Sequence, residues 1–251
     1  MKLAVAGKGG VGKTTLVALL AREAAVRSYR VLVVDGDPDS NLATTLGFPN
    51  PVAPLAEEDA LVAERAGTGG FVRLNPTVDD IPDRYAVERD GIRLLVLGGI
   101  RGGGMGCACP ANTLLKALIA HLMLQEDDVV IVDMEAGIEH LGRGTVRGVD
   151  ALLLIVESDL RTLETAERTL RLAHEIGIER ILAVANKVRE PEELSEIERG
   201  LSSDVPIVGV IPYIDELRIA ARRGPLPEEL RLPAVGELFS RLEHDLAIAR
   251  P

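Results

Sequence analysis

The sequence contains no tryptophan, and its 251 residues include only three phenylalanines and three tyrosines. A core must therefore be assembled from Val, Leu, Ile and Ala, which suits central parallel strands covered by helices on both faces. Long apolar runs are also missing: none approaches the ~20 residues of a membrane-spanning helix. Basic charge is in short supply. The 28 Lys and Arg against 39 Asp and Glu give a formal net charge of −11. Such a surface repels a phosphate backbone unless a basic patch offsets it. The arginines are interspersed with acids, so no nucleic-acid partner is expected. Cysteine is scarce, with only Cys107 and Cys109. A single intervening residue makes an intrachain disulfide awkward, and a reducing cytosol would not preserve one. Met1 to Ala6 run directly into a glycine-rich loop, leaving no room for a signal peptide. These absences point to a cytoplasmic protein with no membrane partner.

What is present is a regular alternation. Leu3–Ala6, Val31–Val34, Arg93–Leu97, Val129–Val132, Leu152–Val156, Ile181–Ala185 and Ile207–Ile211 read as buried strands. Between several of them lie amphipathic stretches, such as Leu160–Ile176, whose apolar residues fall near one helical face. Strand and helix in alternation predict an α/β fold with a mostly parallel, doubly wound sheet flanked by helices. The expectation is one domain over residues 1–251, with an irregular excursion at about 48–91 holding one short helix near Glu57–Ala66. The glycine-rich stretch from Arg101 to Gly106 reads as a flexible loop leading to the cysteines. Ala234–Arg250 reads as an amphipathic helix packed on its own domain.

Gly7-Lys8-Gly9-Gly10-Val11-Gly12-Lys13-Thr14 matches G-x-x-x-x-G-K-[ST] without a mismatch, between an expected strand and an expected helix. In such a loop the glycines let the backbone curl, so that N–H groups converge on phosphate oxygens. The positive end of the next helix adds to the attraction. Gly9, Gly10, Val11, Gly12, Lys13, Thr14 and Thr15 are therefore expected to bind the nucleotide. Lys13 would reach the β- and γ-phosphates, the Thr14 hydroxyl would ligate Mg²⁺, and Thr15 would contact the α-phosphate.

Lys8 departs from a plain phosphate loop. K-G-G-x-G-K-[ST]-T resembles the deviant form shared by the MinD, ParA, nitrogenase iron protein and arsenite-pump ATPases. That resemblance implies an ATP-dependent homodimer, in which Lys8 reaches the partner's nucleotide and acts as an arginine finger does. It also implies that Asp37 orients or deprotonates the attacking water. Asp35 would belong to the magnesium network, and Asp133, at the end of Val129–Val132, would hold a magnesium-bound water. Asn186-Lys187 looks like a guanine-type N-K-x-D, but Arg189 stands in the last place. The superfamily resemblance instead implies that Asn186 holds adenine, with backbone near Pro212 covering the ring, so ATP and ADP are the expected ligands.

Cys107-Ala108-Cys109-Pro110 directly precedes an expected helix starting near Ala111. A helix N-terminus favours thiolate, the form that binds soft metals. Two thiolates do not complete a tetrahedral site, but a twofold dimer brings a second pair to the axis. The expectation is one ion shared between two chains, and thiolates accept Ni²⁺ or Zn²⁺ alike. The other reading is that the cysteines are two small buried residues.

The deviant loop, Asp35 to Asp39, the stretch Gly69 to Arg84, Gly106 to Pro110 and Asp133 to Gly142 together resemble the CooC-type accessory ATPases. These assist nickel insertion into carbon monoxide dehydrogenase, and relatives serve acetyl-CoA synthase. The resemblance implies an ATP-hydrolysing dimeric metallochaperone with such a client. Two rival readings remain at this point. One is an iron–sulfur carrier or reductase ATPase. The other is a MinD- or ParA-like positioning ATPase.

Overall fold

The computed structural model describes residues 1–37, 39–49, 51–68, 71–98, 110–124, 128–134 and 148–246. The strands are β1 (Lys2–Ala6), β2 (Val31–Asp35), β3 (Val87–Arg89), β4 (Ile92–Val96), β5 (Val129–Asp133), β6 (Ala151–Val156), β7 (Ile181–Val188) and β8 (Ile207–Pro212). They form one sheet in the order β3-β4-β2-β5-β1-β6-β7-β8. Every pairing is parallel except the edge pair β3–β4. The sheet class thus matches the sequence reading.

Period-2 alternation sends each strand's side chains to both faces. Ala4, Ala6, Leu32, Val34, Val130 and Val132 enter one core. Their neighbours Leu3, Val5, Val31, Val33, Val129 and Ile131 enter the other. The first core is covered by α3 (Asp59–Ala66), α5 (Pro110–Leu124) and α6 (Leu160–Ile176), which contribute Leu61, Leu118 and Leu170. The second is covered by α1 (Lys13–Val26) and α9 (Pro233–Asp245), through Leu16, Leu20, Leu238 and Phe239. Buried on both faces, the central strands read as continuous aliphatic runs, which is why they were visible without alternation.

The helices α2 (Leu42–Leu46), α4 (Ile81–Tyr85), α7 (Pro191–Gly200) and α8 (Asp215–Arg223) complete the described set. The excursion is more ordered than the sequence suggested. Its expected short helix is α3, preceded by a 3-10 turn at Leu55–Glu57. Leu55, Leu61, Val78 and Ile81 are all buried in the first core. The excursion also contains α4 and β3, which the sequence reading missed. β3 turns into β4 through Asp90 (φ 52°) and Gly91 (φ 75°). Both residues of that turn have positive φ, which Asp-Gly favours in a two-residue hairpin.

Asn186 lies within β7 rather than after it, because the strand runs on to Val188. The C-terminal helix ends at Asp245 within the described residues and packs on its own domain through Val235, Leu238, Phe239 and Leu242. Among the described residues, no helix is long and apolar enough to cross a membrane.

Candidate nucleotide site

A cavity of about 1000 Å³ opens at the carboxyl ends of the strands, lined by Gly9, Gly10 and Gly12 to Thr15. Open α/β sheets place ligands at this edge. Two glycines explain the loop's path. At Gly7 a Cβ would stand 2.5 Å from the Ile155 carbonyl oxygen, so only a bare backbone can pass β6. Gly12 has φ 98°, and a Cβ there would meet Asn186 Nδ2 at 2.6 Å. Gly12 also begins α1 without any side-chain cap, and the first turn carries no acid. The free N–H groups of that turn are therefore left to a ligand.

The loop is braced from behind. Asn186 Nδ2 donates to the Val11 carbonyl at 2.7 Å in a buried contact. Lys187 Nζ donates to the Gly10 carbonyl at 2.7 Å and pairs with Glu157 Oε1 at 2.7 Å. A planar trans peptide points its C=O and N–H in opposite directions, so fixing the Val11 carbonyl turns the Gly12 N–H the other way, whereas the Val11 N–H, in the same peptide as the Gly10 carbonyl, donates to the Lys8 carbonyl at 3.2 Å. Lys13 is buried, and its Nζ lies 3.4 Å from the Lys8 carbonyl. Thr14, Thr15, Asn186 and Pro212 line the same cavity. Val11 is buried in the core beneath it.

Asp35 and Asp133 face each other in register across β2 and β5. Asp35 is fully buried, and burial raises its pKa to about 6. Its two oxygens accept from the backbone N–H groups of Asp37 (3.2 Å) and Leu42 (3.0 Å). It therefore ties the loop after β2 to the sheet. Asp133 differs: both of its oxygens are buried and neither meets a partner at full hydrogen-bonding geometry, the Thr14 hydroxyl being the neighbour that partly offsets this. Burial pushes its pKa to about 7, with the charges of Asp35 and Asp37 adding to the rise and the Thr14 hydroxyl and Lys13 opposing it. A buried carboxylate so weakly partnered, beside a threonine hydroxyl and a lysine, suits a hard cation that needs oxygen ligands. The residues present thus fit Mg²⁺. Asp37 lines the cavity, and its Oδ1 accepts from the Asp39 N–H at 2.9 Å.

Lys8 is not among the residues lining the cavity of its own chain. Its Nζ is 3.0 Å from Asp159 Oδ1. Asp159 is also the N-cap of α6 and accepts from the Thr162 N–H and hydroxyl. Sequence reasoning missed Asp159, Glu157 and the bracing role of Lys187. The first two sit just past β6, at the edge where such sheets bind ligands, which was the available signal. Cys107 and Cys109 lie outside the described residues. Among the described residues there is no cluster of three or more His, Cys, Asp or Glu able to hold a metal.

A phosphate loop between β1 and α1, with two acidic strand ends beside it, defines a P-loop nucleotide-binding site. Residues 2–227 match the CobQ/CobB/MinD/ParA nucleotide binding domain; the chain belongs to that family and is an ATPase of the P-loop class. It is 40% identical over 233 residues to the carbon monoxide dehydrogenase accessory protein CooC of Rhodospirillum rubrum, covering 89% of this chain and 88% of that protein. An ATP-binding protein of Methanocaldococcus jannaschii is 41% identical over 227 residues, or 86% and 87% of the two chains. Among solved structures, the septum site-determining protein MinD complexed with Mg-ADP from Pyrococcus horikoshii superposes with a TM-score of 0.69. It is 18% identical, over 99% of this chain and 98% of that one, and shows the shared fold.

Proposed function

We propose that this chain is an ATP-hydrolysing homodimeric metallochaperone of the cytoplasm. It carries Ni²⁺ on Cys107 and Cys109 and assists nickel insertion into carbon monoxide dehydrogenase or a related nickel enzyme such as acetyl-CoA synthase. The observation that carries this reading is the 40% identity to CooC across nearly nine-tenths of both chains. The topology supports it. Cys107 and Cys109 directly precede Pro110, where α5 begins at the carboxyl edge of the sheet that also holds the nucleotide cavity. One ion, Ni²⁺ or Zn²⁺, would be shared by the cysteine pairs of two protomers.

The chain's own groups divide the work. The amides of residues 9–15 and the Lys13 ammonium hold the phosphates of ATP. Thr14 and Asp133 hold Mg²⁺, which neutralises phosphate charge when bound. Asp35 fixes the loop that carries Asp37, and Asp37 orients the attacking water. Lys8 of one protomer offsets charge developing on its partner's γ-phosphate. In a single chain Lys8 is held by Asp159, so dimer closure has to draw it away. Release of phosphate loosens the loop after β2, as γ-phosphate-ordered switches do, and opens the shared thiolate site for delivery.

The test is a titration of apo, reduced protein with Ni²⁺, followed by absorbance and by light scattering for mass, beside Cys109→Ser. A thiolate-to-nickel band saturating at half an equivalent per chain, with a dimer lost in the variant, is the expected result. Equal binding by the variant, or no band, would remove the cysteines from the metal site. The reading would then shrink to an ATP-driven switch of other cargo.

A further inference from the structure

A second cavity, of about 270 Å³, gathers three guanidiniums and two carboxylates in a chain whose charge is dominated by acids. Four segments far apart in sequence build it. α1 places Arg22 and Val26 four residues apart on one helical face. The turn between β3 and β4 supplies Arg89 and Asp90, and the chain leaving α2 supplies Phe48. A reversal closed by the Leu230 N–H on the Pro227 carbonyl, at 3.1 Å, presents Glu228 and Arg231. Gly47 lets these segments meet. Its φ is 83°, and a Cβ there would stand 2.9 Å from an Arg89 guanidinium nitrogen and 3.3 Å from the Pro225 side chain. None of the five charged groups lines the nucleotide cavity.

The charges are unevenly matched. Arg89 takes both acids: its Nε donates to Asp90 Oδ2 at 3.0 Å and one Nη donates to Glu228 Oε1. Arg22 forms no ion pair among the described residues. Its two Nη atoms donate to the Pro227 and Leu226 carbonyls at 2.7 and 3.1 Å. Arg231 likewise spends one Nη on main-chain carbonyls, those of Glu228 and Leu230, at 2.8 and 3.0 Å. A guanidinium has five donors, so both keep donors to spare. Burial, and then the charge of Arg231, lower the Arg22 pKa, with Glu228 opposing.

We propose that this cavity binds a small organic monocarboxylate between Arg22 and Arg231. Three guanidiniums against two carboxylates leave one positive charge, which a monoanion cancels. A phosphate dianion would overshoot that charge beside Asp90 and Glu228. The planar guanidinium fork also matches the planar carboxylate, with charge-assisted hydrogen bonds to both oxygens. An apolar body has a wall to lie on: Val26 is 61% exposed and Phe48 is half-buried, and both line the cavity. At the ~30 Å³ that a water molecule occupies in the liquid, the volume holds about nine non-hydrogen atoms. The inference is independent of what fills the nucleotide cavity.

Benzoate matches that size and is the probe, with benzamide as its uncharged counterpart and inorganic phosphate as the competing anion. Each is titrated into ¹⁵N-labelled, nucleotide-free protein and followed by amide NMR shifts. Benzoate should shift the amides of Arg22, Phe48 and Asp90 saturably, and should bind at least about fivefold more tightly than benzamide. Arg231→Ala should weaken benzoate by at least about fivefold, as the loss of a charged hydrogen-bond donor does. Glu228→Gln removes one acid and raises the net charge of the cavity. It should tighten benzoate by at least about twofold, a gain that a damaged fold does not produce. Absence of saturable shifts at those amides, or a smaller effect in any of the three comparisons, would overturn the site. Phosphate bound there more tightly than benzoate would overturn the monocarboxylate assignment. Shifts at residues 9–15 report an anion on the phosphate loop and count as no support for this cavity.

Discussion

Asp133 should make the empty protein less stable than it could be, and Asp133→Asn measures by how much. Its carboxylate has both oxygens buried without a partner at full hydrogen-bonding geometry, and burial raises its pKa from 3.8 to about 7. At 1.36 kcal/mol per unit, holding that charge above pH 7 costs on the order of 4 kcal/mol. Asparagine removes the charge but leaves a buried amide, itself a penalty of about 1–3 kcal/mol. The net gain is about 1–3 kcal/mol at pH 8, or several degrees in melting temperature for a chain of this size. The sign follows from the raised pKa. Between about pH 4 and pH 7 the folded state holds the proton that the unfolded state has released, so wild-type stability from this group falls as pH rises through that window. The advantage of the variant should therefore shrink to about zero near pH 5. Thermal melts of metal-free protein in EDTA at pH 5 and pH 8 make the comparison. Repeating them with Mg²⁺ and ATP should reverse the order, because only wild type offers the cation a carboxylate. A variant that melts lower than wild type at pH 8 without metal would refute the account of Asp133 as an unpaired buried charge.

Lys8→Ala and Asp37→Asn should each slow ATP hydrolysis by at least about 100-fold, the scale of a lost charge stabiliser or water-positioning group. Binding of the ATP analogue should change little in either. The melting temperature of Lys8→Ala should also hold, since its ion pair with Asp159 is substantially exposed and such pairs contribute about 0–1 kcal/mol. Asn186→Ala leaves the buried Val11 carbonyl without its donor. It should lose about 1–3 kcal/mol of stability by denaturant unfolding, and weaken nucleotide binding as well.

Much of the sheet was readable because central parallel strands are buried on both faces. Val129–Val132 has no competing pattern, so its assignment needed no tertiary information. The phosphate loop was readable for another reason: its motif fixes a strand before it and a helix after it. The hairpin of β3 was not, because Val87-Glu88-Arg89 offers one apolar residue and half-buried edge positions. Its one signal was Asp90-Gly91. At the site, residue types were legible but their bonds were not. Asn186 lines the cavity as its motif suggested, but the bond of its amide nitrogen to Val11, 175 residues earlier, has no local signal. Lys8 and Asp159 are separated by 151 residues, and no local pattern encodes their meeting. That the Asp35 oxygens hold two backbone amides seven residues of chain or less away was likewise not legible in the sequence.

Asp159 serves two neighbours at once. It receives the Thr162 N–H and hydroxyl at the start of α6, and the Lys8 ammonium on an exposed edge. If the proposed dimer closure draws Lys8 away, the carboxylate keeps its helical partners and the favourable field of the helix terminus. The departing charge therefore strands nothing and unravels nothing, and the vacated carboxylate can take the lysine back unchanged. In the proposed dimer such a contact would behave as a latch without wear, free to open and close while the helix beneath it stays wound.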